Sequence, residues 1–143
     1  MSLKQALPAA LDEARQTGAR RVHVEADGAS ATVDVGEVDG IGVRVRGLRV
    51  TRAATVPIEE LARVLPERVR SLPDRVAPVE VDAGLNGGVF RTPVDPVQGD
   101  YYQLDVRGRD AEVRRYAVNG GERAEADFDI TRDSLGRLLD ELS

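Results

Sequence analysis

The chain has 143 residues and a formal net charge of −5, from 20 cationic and 25 acidic side chains. This length suits a single domain over residues 1–143, because two cores of ordinary size need a longer chain. Cysteine is absent and only one histidine is present, which excludes disulfides, thiolate nucleophiles, iron–sulfur clusters and two-histidine metal sites within one chain.

The acidic balance argues against nucleic acid as the main partner, because binding to a phosphate backbone depends on clustered cations. No run of about 18 apolar residues occurs, and the first residues lack the charged-then-apolar layout of a secretory signal. We therefore expect a cytoplasmic protein without membrane insertion.

The chain opens with a helical pattern, since Leu3, Leu7 and Leu11 recur every four residues. Ser2 and Gln5 have the spacing of a capping box. Pro8, however, has no N–H to donate inside a helix. We therefore predict the ordered helix over residues 7–17, preceded by a looser turn.

From Arg21 onward the apolar period changes to two, which predicts strands. Asp27-Gly28 has the chemistry of a two-residue hairpin turn that sets Val24 opposite Ala31 and Val22 opposite Val33. The phase of alternation shifts at Gly47, and either a bulge or a second hairpin turning at Arg46-Gly47 explains the shift. We favour the hairpin.

A second helix is predicted from Pro57, with Ile58, Leu61 and Leu65 at helical spacing and Pro66 bending or ending it. The alternating segment at residues 79–83 then turns back at Leu85-Asn86-Gly87-Gly88. The proline-containing residues 93–100 form a surface loop, and two strands follow up to Val118.

Residues 123–130 show the clearest alternation in the chain and predict one last strand. Thr131 then caps a third helix with an apolar face of four leucines, Leu135, Leu138, Leu139 and Leu142. The predicted order is helix, about four strands, helix, about five strands, helix, and it indicates an antiparallel α+β fold built from hairpins. A shift of 74 residues superimposes the last two helical patterns, so residues 19–72 and 79–143 are a candidate internal duplication.

Two groups of residues have features of ligand sites. Gly84–Gly88 is glycine-rich like a phosphate loop, but a strand pattern follows it instead of a helix, which favours a hairpin. The acidic side chains of the last strand and helix could face a hard cation, yet alternate strand residues lie about 6.6–7 Å apart. We therefore favour a solvated face paired with arginines. The four carboxylates concerned are Glu125, Asp127, Asp129 and Asp133.

Arg44 and Arg46 share a strand face, with Arg49 nearby, and could form an anion-binding strip. The chain has only three tyrosines, two phenylalanines and no tryptophan, so the stacking platform of single-stranded nucleic-acid binders is nearly missing. Charge pairing across strands is the favoured role of these arginines.

His23 falls on the polar phase of its strand beside Glu25, which indicates a surface side chain and not a general base. The serines have no nucleophile-elbow context. We assign no catalytic residue, metal ligand or cofactor. Tyr101 is expected to be exposed beside the proline loop and to anchor a contact.

These observations favour a non-catalytic, cytoplasmic protein-interaction module, with a protein partner or a second copy of the chain. A homodimer through a strand edge or through the last helix is expected. The candidate contact residues are Tyr101, Leu138, Leu142, Arg44 and Arg46.

Two alternatives stay open. One is a small-ligand protein or carboxylate-dependent enzyme with its site near residues 84–100, lined by Arg91, Asp95 and Asp100. The other follows from a resemblance: in size, acidic charge and element order the chain resembles dimeric type III secretion chaperones, which would imply a dimeric protein that binds other proteins.

Overall fold

The computed structural model describes residues 1–143 and contains three helices and nine strands. The helices are α1 (Leu3–Thr17), α2 (Ile58–Arg68) and α3 (Arg132–Leu142). Three strands precede α2: β1 (Arg21–Ala26), β2 (Ala29–Val38) and β3 (Gly42–Thr51). Six follow it: β4 (Ala77–Asp82), β5 (Gly87–Arg91), β6 (Asp100–Arg107), β7 (Asp110–Asn119), β8 (Glu122–Ala126) and β9 (Phe128–Thr131).

All nine strands belong to one sheet, and every pair of neighbours is antiparallel. The order along the sheet is β1-β2-β3-β7-β6-β5-β4, with β8 paired to β7 and β9 paired to β3. The sheet is open, so β1 and β4 are its two end strands. The predicted α+β class is confirmed, while the internal duplication stays a hypothesis, since the two halves carry three and six strands.

The first hairpin has the predicted register. Val22 pairs with Val33 and Val24 with Ala31. Asp27 and Gly28 have φ values of 52° and 83°, which is the left-handed backbone that a two-residue turn between twisted strands requires. The local turn chemistry and the apolar phase thus select the same pairing.

The predicted hairpin at Arg46-Gly47 is wrong, and the bulge is what forms. β3 continues through this point, and its register against β2 jumps from Asp34–Gly47 to Val35–Val45, which leaves Arg46 as an extra residue. A bulge restores the apolar residues on both sides of it to one face. β2 and β3 are both ten residues long. The backbone hydrogen bonds between them therefore stabilise a continuous β3 more than a hairpin at Arg46-Gly47 would.

The single last strand that alternation predicts is divided between two partners. β8 pairs with the second half of β7 and β9 with the first half of β3. β3 and β7 pair directly only between Leu48–Val113 and Thr51–Asp110. The extended segment 122–131 therefore occupies the place where β3 and β7 separate.

Helix α1 begins at Leu3, four residues earlier than predicted. The Ser2 side chain accepts from the Gln5 N–H, and the Gln5 side chain accepts from the Ser2 N–H, so the capping box forms. Pro8 is accommodated inside the helix, where its carbonyl accepts from Arg132 Nη2 at 3.1 Å. The capping box and the burial of Leu3 and Leu7 stabilise the first turns of α1 by more than the loss of the backbone hydrogen bond that Pro8 cannot donate.

One face of the sheet carries the helices. α1 packs on β1 and β2, α3 packs on α1, β3 and β9, and α2 packs on β4 and β5. A cluster of 29 buried apolar residues joins the three helices to the sheet. None of the helices has the length and apolar character that crossing a membrane requires.

Candidate functional site

The end strand β4 is exposed along its whole length, unlike the strands of the sheet interior. All six of its residues are exposed, although Val79 and Val81 are apolar. Their side chains are 53% and 45% exposed, and Leu85 in the following turn is 56% exposed. Alternation predicted this strand but not its exposure. We call Ala77–Asp82 together with Leu85 the β4 edge.

The registers of β4, β5 and β6 place acidic side chains in two rows beside this edge. Glu80, Val89 and Asp105 form one row across the three strands. Asp82, Gly87 and Arg107 form the next row, two residues along each strand. Because side chains two residues apart share a face, both rows lie on the same face of the sheet.

A cavity of about 310 Å³ opens in these rows. Gly87 supplies no side chain between Asp82 and Arg107, and a Cβ added there would lie 2.9 Å from the Val106 carbonyl oxygen. We call this cavity, with Glu80, Asp82, Asp105 and Arg107 around Gly87, the acidic groove. It has three carboxylates and one cation, so its lining carries a net charge of about −2 at neutral pH.

The carboxylates of the acidic groove have no cationic partner within the chain. Glu80 makes no side-chain hydrogen bond or ion pair, Asp82 accepts only from the Leu85 N–H at 3.2 Å, and Asp105 accepts only from the Gln103 amide. Four other carboxylates of the sheet are paired with arginines, whereas Glu37 and Glu122, like Glu80, have no cationic partner: Asp34 pairs with Arg21, Asp129 with Arg44, Glu112 with Arg49 and Arg114, and Glu125 with Arg114.

The acidic group and the arginine group predicted from the sequence share one ion pair, between Arg44 and Asp129, and their other paired members have partners outside both groups: Arg49 pairs with Glu112, Glu125 with Arg114, and Asp133 with Lys4 and Arg137. Arg44 Nε donates to Asp129 at 3.1 Å, and this bond raises the pKa of the arginine. Arg46 lies on the bulge and makes no ion pair or side-chain hydrogen bond. No group of three or more histidine, aspartate or glutamate side chains is arranged to hold a metal ion.

Tyr101 is not exposed as predicted. It is 7% exposed and stacks on Tyr116 with ring centroids 5.7 Å apart. Arg123 lies over the Tyr116 ring at 4.3 Å and donates to the Tyr101 hydroxyl at 3.1 Å. Tyr101 lies on the face of the sheet without helices, where Arg91 of β5 and Arg123 of β8 cover it.

Leu138 and Leu142 are likewise buried, because the apolar face of α3 packs against α1, β3 and β9 of the same chain. The expected dimer contact through this helix is therefore wrong, since its leucines are already covered. Of the two predicted dimer surfaces, only a strand edge is still available to a partner.

The site expected near residues 84–100 does not assemble from Arg91, Asp95 and Asp100. Asp95 accepts from the Gln98 and Val97 N–H groups, which lower its pKa and hold the loop. Asp100 accepts from Arg115 Nε at 2.7 Å, and Arg91 Nε donates to Gln103. The acidic groove is the cavity that this part of the chain does form.

The glycine-rich segment is a hairpin turn, as favoured from the sequence. Asn86, with φ 46°, stands at the turn and its Oδ1 accepts from the Ile58 N–H at 2.8 Å. Asn86 thus caps α2 from a distant part of the chain, a role that no local pattern indicates. The turn between β4 and β5 is thus linked to the start of α2 by hydrogen bonds of Asn86.

His23 lies on the surface as predicted, with its ring nitrogens 3.1 Å from Thr32 Oγ1 and from Glu25 Oε1. Ser71 Oγ donates to Glu141 Oε2, which also anchors the segment after α2. Neither side chain belongs to a nucleophile, base and carboxylate arrangement.

A cleft of about 530 Å³ lies between α3 and the segment that follows α2. Tyr102 and Phe128 meet edge to face in its wall, with ring centroids 5.2 Å apart. Burial raises the pKa of Tyr102. The carboxylates of this cleft, Asp129 and Glu141, are engaged by Arg44 and by Ser71, so the lining offers few free groups to orient a ligand.

Comparisons with known proteins identify no relative. No protein-family model matches the chain, and neither a curated protein nor a solved structure is similar to it. The resemblance to secretion chaperones in size, charge and element order is accordingly without support from any matched relative.

Proposed function

We propose that the protein is a non-catalytic, cytoplasmic interaction module that binds a partner protein along the β4 edge. The observation that carries this proposal is the full exposure of β4, an end strand with Val79 and Val81 facing solvent. An end strand leaves half of its backbone N–H and C=O groups unpaired by its own sheet, so an extended segment can add to it as a further strand.

The other end strand, β1, and the strand β8 do not present large apolar side chains to solvent. β1 buries Val22 and Val24 under α1, and its outward side chains Arg21 and His23 are paired with neighbours. β8 is exposed but carries no large apolar side chain, since its sequence is Glu-Arg-Ala-Glu-Ala. The β4 edge alone combines unpaired backbone with apolar surface, as binding edges do.

A second copy of the chain fits this edge poorly. Antiparallel pairing of two β4 strands would bring Glu80 and Asp82 of each copy to one short interface, and like charges across strands are destabilising. We therefore assign the edge to a different protein, and sedimentation should show a monomer across the micromolar range.

The experiment is affinity capture from the cytoplasmic fraction of the cells that make this protein, with wild type and two variants as bait. Val81→Lys places a charge on the β4 edge, whereas Ala124→Lys adds the same charge to exposed β8. We expect a partner that is retained by wild type and Ala124→Lys and lost by Val81→Lys. Thermal unfolding verifies that both variants are folded.

The proposal is wrong if wild type retains no specific protein, or if Val81→Lys retains the same proteins as wild type. A second folded variant, Leu85→Lys, tests the same edge from the turn. Its side chain is more than half exposed, so this substitution does not disturb the core.

A further inference from the structure

The acidic groove beside the β4 edge indicates what kind of segment binds there. We propose that the partner segment is an extended strand in which basic and apolar residues alternate, with its lysine or arginine side chains in the acidic groove. This inference rests on the proposed function, because it specifies the chemistry of the segment that adds to β4.

The alternation of basic and apolar residues in the partner segment is inferred from the different side chains on the two faces of β4. Glu80 and Asp82 share the face on which Val89, Asp105 and Arg107 lie, so an added strand meets carboxylates on that face. Val81 pairs with Gly88, where an added Cβ would lie 3.2 Å from the Ile58 side chain of α2. Val81 therefore belongs to the helix face, and there the added strand meets an apolar neighbour.

The lysine or arginine of the partner segment is inferred from the excess of negative charge in the acidic groove. Glu80, Asp82 and Asp105 have no arginine or lysine partner within the chain, whereas Asp34, Glu112, Glu125 and Asp129 have one. Arg107 is the one cation in the lining and makes no ion pair. A basic side chain from a partner supplies the missing charge, and its ammonium or guanidinium group can donate to several carboxylate oxygens at once.

The cavity accommodates such a side chain. Neighbouring strands lie about 4.8 Å apart, so a lysine or arginine on an added strand can pass over Glu80 or Asp82 and reach the space above Gly87. No side chain of β5 fills that space, because the close approach of Val106 requires glycine at position 87. The groove and the edge thus recognise one extended segment together.

The test is a selection from a displayed library of random decapeptides with wild-type protein as target. We expect the enriched peptides to carry lysine or arginine at alternate positions with apolar residues between them. Hydrogen exchange should show these peptides protecting the amides of β4. Raising the salt concentration should weaken their binding, since the contacts are largely exposed to solvent.

Two variants with equal change in net charge identify the site. Glu80→Gln/Asp82→Asn/Asp105→Asn neutralises the groove, and Glu13→Gln/Glu25→Gln/Glu37→Gln neutralises exposed carboxylates of α1, β1 and β2. We expect the first to bind an enriched peptide at least about fivefold more weakly and the second to bind within about twofold of wild type, as contributions of exposed ion pairs suggest.

The outcomes separate this inference from the proposed function. Peptides that protect β4 without any excess of basic residues, or that bind the groove variant as tightly as wild type, overturn the alternating basic partner but leave binding at the edge intact. If no peptide protects β4, both the inference and the edge as binding surface are overturned. Wild-type affinity that does not change with salt also contradicts the inference.

Discussion

The two end strands of the same sheet, β1 and β4, differ in how far their residues are buried and in whether their charged side chains have partners. β1 is covered on one face by α1, which buries Val22 and Val24, and its exposed face has local partners: Arg21 pairs with Asp34, and His23 hydrogen-bonds to Glu25. β4 also has a helix, α2, packed on it, but none of its residues is buried, and Glu80 makes no ion pair or side-chain hydrogen bond. Both end strands alternate apolar and polar residues, so the residue pattern does not distinguish them. The difference between the two edges lies in how deeply their side chains are buried and in whether their charged side chains have partners.

The largest expected effect comes from weakening the cover of β1. Leu11 is fully buried in α1 among the residues that pack on β1 and β2. We expect Leu11→Ala to lower the free energy of unfolding by about 2–5 kcal/mol, through lost transfer energy and the cavity that remains. Urea unfolding followed by circular dichroism measures this change, and a loss below about 1 kcal/mol would contradict the described packing.

A matched pair of substitutions compares the two edges directly. Val24 in β1 is buried and Val81 in β4 is 45% exposed. We expect Val24→Ala to lower the free energy of unfolding by about 2 kcal/mol and Val81→Ala to change it by no more than about 0.5 kcal/mol. Equal losses at the two positions would show that β4 is covered in solution.

Breaking the link between the β4–β5 turn and α2 is expected to have an intermediate effect on stability. Asn86 Oδ1 accepts from the Ile58 N–H, and Asn86 Nδ2 donates to the Val56 carbonyl. We expect Asn86→Gly, which tolerates the positive φ, to destabilise the protein by about 1 kcal/mol through loss of the cap. Asn86→Asp keeps the acceptor and is the control, so a loss as large as that of Asn86→Gly would argue against the cap.

The smallest expected effect concerns one loop in each half of the sheet. Hydrogen bonds from Gly42 and Ile41 lower the pKa of Asp39, as those from Gln98 and Val97 lower that of Asp95, both from an ordinary value of 3.8. A carboxylate with a lowered pKa stabilises the folded state above about pH 4, and this stabilisation is lost as the pH falls through the folded pKa.

We therefore expect Asp39→Asn and Asp95→Asn each to reduce the loss of stability between about pH 4 and pH 2, because the uncharged amide does not titrate. Thermal unfolding across this range measures the effect. A wild-type profile that neither substitution flattens would show that these backbone hydrogen bonds do not form in solution.

Much of the secondary structure was predictable, because it follows from the spacing of apolar residues within each segment. The alternation around Asp27-Gly28 gave the correct register of β1 and β2, and the leucines of residues 135–142 correctly predicted a helix capped by Thr131. The candidate contact residues were less predictable. Tyr101, Leu138 and Leu142 are apolar or aromatic, but their own chain buries them.

The errors share a physical cause, which is that long-range pairing decides between local alternatives. Pairing with β2 along both sides of Gly47 makes the phase shift there a bulge and not a hairpin turn. Because β3 and β7 pair over only part of their length, the last extended segment pairs with each of them in turn, as β8 and β9. The capping box and packing of α1 kept Pro8 inside the helix.

By itself, the sequence determined which segments are helical or extended and which side chains share a face, because these follow from the geometry of each segment and its turns. Only the tertiary structure decided that β4 lies at the end of the sheet with all six of its residues exposed, and that Glu80, Asp82 and Asp105 meet around Gly87. Those features depend on the order of strands and on their register, which bring together residues that no local period relates.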